Sequence, residues 1–347
     1  MKEKIKEVAL ESGFDLVSFV SSESILKNTF LFSKYSEWIR FSLNANMKYL
    51  DIPLDKKFNP ASIEGWARSI ILVGASYFNS SNFDLPSEEY GRVSMYAWGQ
   101  DYHFVLKKML EEFVQKLKFY LGREFRYRIF SDATPLYEKG FAVAGGMGFQ
   151  GKNTCVINPK YGSFFFIGEV LTDLDLGEDE PIEFKGCGGC SLCIDSCPTS
   201  ALTPYVLDAR KCISYLTIEY RGIIPEDLAF KMGDWIFGCD ICQRVCPFNK
   251  WLFVKKFVSK IREFNINLTP FLNLRDVMSI PSNNQFKKTF YGKAFLRAGR
   301  SGLIRNAIIV AVNNKAYKLI DKIKELADDS NEVISETAKW AIKTMSG

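Results

Sequence analysis

Histidine is almost missing from this chain: His103 is the one imidazole in 347 residues. A metal site built on several histidines and a Ser-His-Asp triad are therefore both excluded as the organising chemistry. His103 falls at the head of an expected helix and reads as a capping or packing residue. No run of about 18 apolar residues occurs, so no membrane span is expected. The opening MKEKIKEVALESGFDLVSF scatters acids where an export signal would need an apolar stretch. Neither a G-x-G-x-x-G following a strand nor a flavin-type fingerprint is present, and Gly145–Thr154 does not match G-x-x-x-x-G-K-S/T. A cytoplasmic protein in a reducing compartment is the expectation.

What the chain does have is cysteine, nine in all, eight of them in one stretch. Cys187-x2-Cys190-x2-Cys193-x3-Cys197-Pro198 is the run of a bacterial ferredoxin, in which three thiolates hold one 4Fe–4S cube and the fourth crosses to another. A second run, Cys239-x2-Cys242-x3-Cys246-Pro247, lacks its first ligand, and Cys212 between the runs supplies it. Two sets result: Cys187, Cys190, Cys193 and Cys246 on one cluster, Cys197, Cys212, Cys239 and Cys242 on the other. Disulfides would need an oxidising compartment, and zinc sites come as paired C-x2-C knuckles without the C-x2-C-x2-C-x3-C-P run. Cys155 belongs to neither run and reads as a packing thiol.

The net charge of +5 conceals an asymmetry. From Lys250 to Lys324 there are sixteen Lys/Arg and three acids, a net of +13, against −8 for the remainder. Such a segment fits either a nucleic-acid interface or a solvated helical surface. Three domains are expected. Residues 1–180 form an α/β domain, beginning with helices over 1–60 that include Leu16 and Val17. Strands follow over Ser69–Tyr77 and Arg92–Trp98. An amphipathic helix runs over Asp101–Leu121, with Val105, Leu106, Met109, Leu110, Phe113, Leu117 and Tyr120 on its apolar stripe, and strands over Phe125–Phe130 and Gly162–Leu171 complete the domain. Residues 181–250 hold the clusters, entered through the acidic run Asp173–Glu183. Residues 251–347 end in amphipathic helices over Gly302–Val312, Tyr317–Ala327 and Glu332–Met345, which suit HEAT-like repeats or a plain helical cap. Asp132 closes a strand and fits a helix cap or a catalytic carboxyl. The glycines of Gly145–Gly151 read as backbone approaching a bulky flat ligand. On residues alone the chain is an iron–sulfur oxidoreductase with a basic tail.

Several stretches carry a resemblance further. Tyr96-Ala97-Trp98-Gly99-Gln100-Asp101-Tyr102-His103, Ser131-Asp132-Ala133-Thr134-Pro135-Leu136-Tyr137-Glu138, Gly148-Phe149-Gln150-Gly151-Lys152-Asn153-Thr154, the Cys212–Gly222 stretch CISYLTIEYRG and Gly238–Pro247 closely resemble the epoxyqueuosine reductases. The resemblance implies an α+β protein: an α/β cobalamin-binding domain related to reductive dehalogenases, a ferredoxin-like two-cluster module and a HEAT-like tRNA-binding tail. It implies reduction of the epoxide of epoxyqueuosine to queuosine at the tRNA wobble position, with electrons passing through two 4Fe–4S clusters to base-off cobalamin. Asp132 would be the proton donor. Lys57, Ala97, Asp132, Asn153, Thr154, Asn158, Ser214 and Asp240 would meet cobalamin, and Arg221 would meet tRNA. A low-potential electron donor, no membrane and a monomer complete the expectation. The alternative is a cobalamin and iron–sulfur reductase of a small molecule, dehalogenase-like, which would have no use for the +13 segment. An electron carrier or a DNA-binding protein with a structural cluster fits less of the chain.

Overall fold

In a computed structural model, the structure describes all residues except 24–28, 82, 133–134 and 347. The main sheet is antiparallel throughout, in the order Leu16–Ser21, Ser69–Ser76, Phe165–Thr172, Tyr127–Phe130. Ser69–Ser76 (SIILVGAS) lies at its centre and every residue in it is buried, as a β-branched run packed on both faces must be. One face meets the helices Lys2–Glu11 and Tyr102–Leu121 through Ile5, Val8, Leu106, Leu110 and Phe113. The other meets Thr29–Arg40 and Glu138–Ala144 through Tyr35, Leu136 and Phe141.

Leu16 and Val17 belong to an edge strand, not to an entry helix. Gly13, at φ +94°, ends the first helix, and LVSFVS then pairs in register with Ser69–Gly74. The strand expected over Arg92–Trp98 stops at Val93 and gives way to a 3-10 turn at Met95–Ala97. On the long helix, Val105, Leu106, Leu110, Phe113 and Leu117 are buried as the stripe expects and Val114 joins them, whereas Met109 is half-buried and Tyr120 is exposed.

A second sheet joins distant parts of the chain. Tyr90–Val93 pairs parallel with Trp235–Phe237 and antiparallel with Phe271–Asn273, so the three expected segments each contribute one strand. The C-terminal part consists of helices, among them Gly299–Asn313, Ile320–Leu326 and Glu332–Ser346. Gly299–Asn313 is not amphipathic: every residue from Gly302 to Val312 is buried. It is enclosed by Glu332–Ser346, Leu274–Met278 and the Trp235–Phe237 strand, so it has no solvent face to mark with polar residues.

Candidate active site

The cysteine loops are ordered by short helical turns. Cys246 and Cys212 sit in extended backbone at the starts of Pro247–Val254 and Ile213–Ile218, the first with a proline at its first turn. The Cys246 thiol faces Cys187 and Cys193, and Cys193 faces Cys187 and Cys190. Cys239 faces Cys212 and Cys197, while Cys242 faces Cys239 and Cys212. The two sets are thereby brought together in space. Backbone N–H groups point at the sulfurs: Lys152 at Cys187 (3.4 Å), Ala201 at Cys197 (3.4 Å), Ser214 and Tyr215 at Cys212, Ile241 at Cys239 and Phe248 at Cys246. Burial pushes the Cys246 thiol up to about 11 and raises Cys239 well above the ordinary value, so thiolates need compensating charge. Iron and these N–H donors supply it. Among the described residues no three His, Cys, Asp or Glu side chains converge on a single-ion site.

Cys155, expected to pack inertly, hydrogen-bonds with Cys242 beside the second set, and this contact holds its thiol down near about 7. The glycines of the Gly145–Thr154 loop lie close against other parts of the protein. A Cβ on Gly148 would stand 2.6 Å from the Ile157 carbonyl, and one on Gly146, at φ +72°, would strike the Glu180 carbonyl. The same loop ties down the first cluster, because Lys152 Nζ donates to the carbonyls of Gly188 and Cys190, each at 2.8 Å.

Beside the second cysteine set opens a cavity of roughly 1560 Å³. Its walls come from all three segments: Tyr49, Tyr102, His103 and Asp132 from the first, Cys212, Ser214 and Glu219 from the cluster module, and Leu296 and Arg297 from the tail. Asp132 closes the strand Tyr127–Phe130 at φ +56°, a left-handed conformation that an aspartate tolerates better than most residues. Its Oδ2 accepts a hydrogen bond from the Tyr102 hydroxyl and stands 3.8 Å from His103 Nε2. The other imidazole nitrogen meets Asp101 Oδ1 at 2.7 Å, and the ring stacks on Tyr102 at 4.0 Å. The bond to Asp101, opposed by burial, raises His103 above its ordinary pKa. His103 therefore belongs to the carboxyl's surroundings as well as to the helix end. Asp132 itself is 59% exposed, and Phe130 turns into the opposite core, so the chain alone does not desolvate this carboxyl.

Of the expected cobalamin contacts, Asp132, Thr154 and Ser214 line the cavity. Five others lie behind its wall. Lys57 is 5% exposed, with its ammonium 5.4 Å from the Tyr35 ring. Ala97 is buried in a 3-10 turn. Asn153 donates to the Cys242 carbonyl, and Asn158 to the Met147 carbonyl. Asp240, wholly buried, accepts from Ser94 Oγ and from Met95 N at 2.7 Å, which anchors the Cys239–Cys242 loop to the first segment. Arg221 is absent from the cavity wall: its guanidinium donates to the carbonyls of Ile218, Ala298 and Arg297. The arginine that reaches the cavity is Arg297, paired with Glu219 at 2.8 Å and 5.4 Å from the Tyr49 ring. Nothing in sequence distinguishes it from the other fifteen basic residues of its segment. Tyr102 could have been singled out, since it lies in a stretch that carries the family resemblance.

Two sets of four thiols, one of them beside a large cavity with a carboxyl at its wall, define an iron–sulfur oxidoreductase. Residues 186–249 match the family described as 4Fe-4S double cluster binding domain, and residues 57–133 match epoxyqueuosine reductase QueG, DUF1730. An epoxyqueuosine reductase of Leadbetterella byssophila is 37% identical over 307 residues, 88% of this chain and 97% of that protein. One from Pseudomonas aeruginosa is 32% identical over 351 residues, 99% of this chain and 94% of that protein. The fold matches a crystal structure of epoxyqueuosine reductase with an epoxyqueuosine-modified tRNA-Tyr stem loop at a TM-score of 0.88 and 28% identity, covering 100% of this chain and 90% of that one. A Bacillus subtilis epoxyqueuosine reductase, solved with its catalytic aspartate loop swung out of the active site, matches at 0.85 and 28% identity, covering 99% and 90%. This chain belongs to the epoxyqueuosine reductase family.

Proposed function

We propose that this protein reduces the epoxide of epoxyqueuosine in tRNA to the alkene of queuosine, with Asp132 as the acid that protonates the departing oxygen. The net change consumes two electrons and two protons and releases water. The observation that carries this reading is the Asp132 carboxyl, held by Tyr102 in a cavity walled on another side by Cys212. The catalytic aspartate loop of the Bacillus subtilis relative supports the assignment. The Cys212 set, whose Cys212 meets the cavity, would hold a cluster nearer the reaction than the Cys187 set, and the clusters would supply electrons.

Cobalamin, when bound, would supply low-potential reducing chemistry at the epoxide. Thr154 and Ser214 are the residues of this chain we assign to its contact. His103, engaged by Asp101 and facing Asp132, serves the acid. A ligand filling the cavity would cover Asp132, which stands at its wall. The stem loop of the crystallised relative supports tRNA as the partner. The basic segment, 251–347, with its HEAT-like helices, would grip phosphates, while the modified nucleotide is splayed into the cavity. No helix among the described residues is long and apolar enough to cross a membrane, which suits a cytoplasmic enzyme with a low-potential donor.

The test is anaerobic turnover of an epoxyqueuosine-bearing anticodon stem loop by protein with reconstituted clusters and cobalamin, read by nucleoside mass spectrometry. Loss of one oxygen is expected from the wild type. Asp132→Asn should retain clusters and cobalamin yet turn over about 100-fold more slowly. Near wild-type turnover by that variant would move the acid elsewhere. No conversion by loaded wild type would favour a small-molecule substrate.

A further inference from the structure

The first set of thiols lies away from the cavity: none of Cys187, Cys190, Cys193 and Cys246 lines it, whereas Cys212 of the second set does. The first set meets the outer surface instead. Cys187, Cys190 and Cys193 are half-buried, and Gly188, Gly189, Ser191 and Leu192 between them are exposed. A Cβ built on Gly188 or Gly189 would have no atom within 4 Å. Gly188, at φ +48°, needs its glycine for the turn, but neither backbone nor packing demands one at Gly189. Lys152 Nζ holds this loop at the Gly188 and Cys190 carbonyls, and its two glycines face open space. Leu192 and Phe184 are exposed beside it. The Phe184 ring is fixed by stacking on Phe149 at 5.1 Å and by an edge contact with Phe248 at 5.5 Å.

The charges around this apolar patch are mostly positive. Lys185 follows Phe184 and is exposed. Lys250 is exposed on the helix Pro247–Val254, one turn after Cys246. Lys160 is exposed in the turn between Asn158 and Gly162, which lies against that helix through Ser163 N donating to Asn249 Oδ1 at 2.8 Å. None of these three ammoniums has a carboxylate partner among the described residues. Against them stand Glu183 and Asp195, the latter engaged by Ser191 Oγ at 2.6 Å. The acidic run before Glu183 turns toward the first helix, where Lys2 pairs with Asp179 at 2.9 Å. Brief redox encounters bury less than about 1,200 Å² and use rim charges to find their register, so a patch of this kind suffices.

We infer that this face is the docking surface for a small acidic one-electron carrier protein of low potential, with Leu192 and Phe184 at its centre and Lys160, Lys185 and Lys250 at its rim. The inference rests on the eight thiols as cluster ligands, as in the function proposed above. Each encounter passes one electron inward: the carrier is oxidised by one, the cluster site of the Cys187 set is reduced by one, and no bond or proton is exchanged. Two encounters supply the two electrons that the epoxide consumes. Electron transfer slows steeply with distance, so the bare backbone at Gly188 and Gly189 is where the carrier comes closest.

The experiment uses the full chain with reconstituted clusters and, as the carrier, an acidic flavodoxin reduced to its hydroquinone. Calorimetry reads binding, and stopped-flow absorbance of the flavin reads the transfer. For the wild type, affinity and second-order rate should both fall about ten-fold between low salt and about 0.5 M salt. Lys160→Glu, Lys185→Glu and Lys250→Glu combined should lower both at low salt by about ten-fold or more and remove most of the salt dependence. Gly189→Phe, which places a ring in open space, should keep wild-type iron content and slow the transfer several-fold. Lys287→Glu with Lys288→Glu, a charge reversal on the exposed tail helix Asn283–Thr289, should leave carrier binding unchanged. Wild-type binding and transfer in the triple lysine variant overturn the proposal, and so does a wild-type rate in Gly189→Phe. Loss of affinity for an unmodified stem loop in the lysine variant, with carrier binding intact, would assign these lysines to RNA instead. No arm reads epoxyqueuosine turnover, so a failure of the substrate assignment leaves this test standing.

Discussion

Asp132 is surrounded by groups that each restrict it differently. Tyr102 donates to its carboxyl, and His103 faces it at 3.8 Å. His103 is held by Asp101, whose own pKa is pushed up by burial but brought below the ordinary value by hydrogen bonds from His103. The imidazolium, favoured by a raised pKa, is lost as pH rises through that value. His103→Gln should therefore lower turnover at pH 6.5 by roughly ten-fold and flatten its decline toward pH 8.5, as pH–rate profiles on the stem loop would show. An unchanged profile would leave His103 as a helix cap only. At this scale the cysteines were legible, because C-x2-C-x2-C-x3-C-P encodes a tight local loop. The five buried members of the cobalamin set were not. Neighbouring residues face opposite ways, and spacing does not say whether Asn153 or Thr154 points into the cavity.

Among the elements, the strand Phe165–Thr172 carries the largest internal conflict. Burial, then Glu138, pushes Glu169 well above the ordinary carboxyl range, with Lys57 opposing. A folded pKa raised above the unfolded one means that the contribution to stability is present at low pH and lost as pH rises. The loss is about 1.4 kcal/mol per pH unit between the two values. Glu169→Gln should accordingly raise Tm most at pH 8 and hardly at pH 5, in thermal unfolding followed by circular dichroism. A larger gain at pH 5 would contradict the assignment. Central strands were readable from β-branched runs such as SIILVGAS. The edge strand Leu16–Ser21 was not, because LVSFVS after a helix continues an apolar pattern that either period accommodates. Nor could Gly299–Asn313 be seen as a wholly buried helix, since its neighbours come from three remote parts of the chain.

Over the whole molecule, Arg305 shows how the tail and the clusters are joined. Its guanidinium is fully buried and donates to the carbonyls of Leu216, Tyr220 and Gly222, while Asn306 donates to those of Thr217 and Ile236. Burial, reinforced by the charge of Arg221, pulls Arg305 down to about 10, so it stays charged at neutral pH. The helix it caps, Ile213–Ile218, begins at Cys212. Arg305→Ala leaves three carbonyls unpaired at a cost of roughly 3–5 kcal/mol. It should lower Tm and reduce the iron retained after anaerobic reconstitution. Wild-type iron content in a folded variant would show that the tail does not support the second cluster.

The sequence by itself determined the double-cluster cysteine runs, the basic character of the last hundred residues and the family, since each is written in local spacing, composition or contiguous motif. The cavity was decided by tertiary structure alone. Asp132, Cys212 and Arg297 reach one chamber only because a shared sheet, formed by Tyr90–Val93, Trp235–Phe237 and Phe271–Asn273, draws their three segments together. Pairing across such distances depends on burying faces against each other, and no single segment carries the record of what it will face.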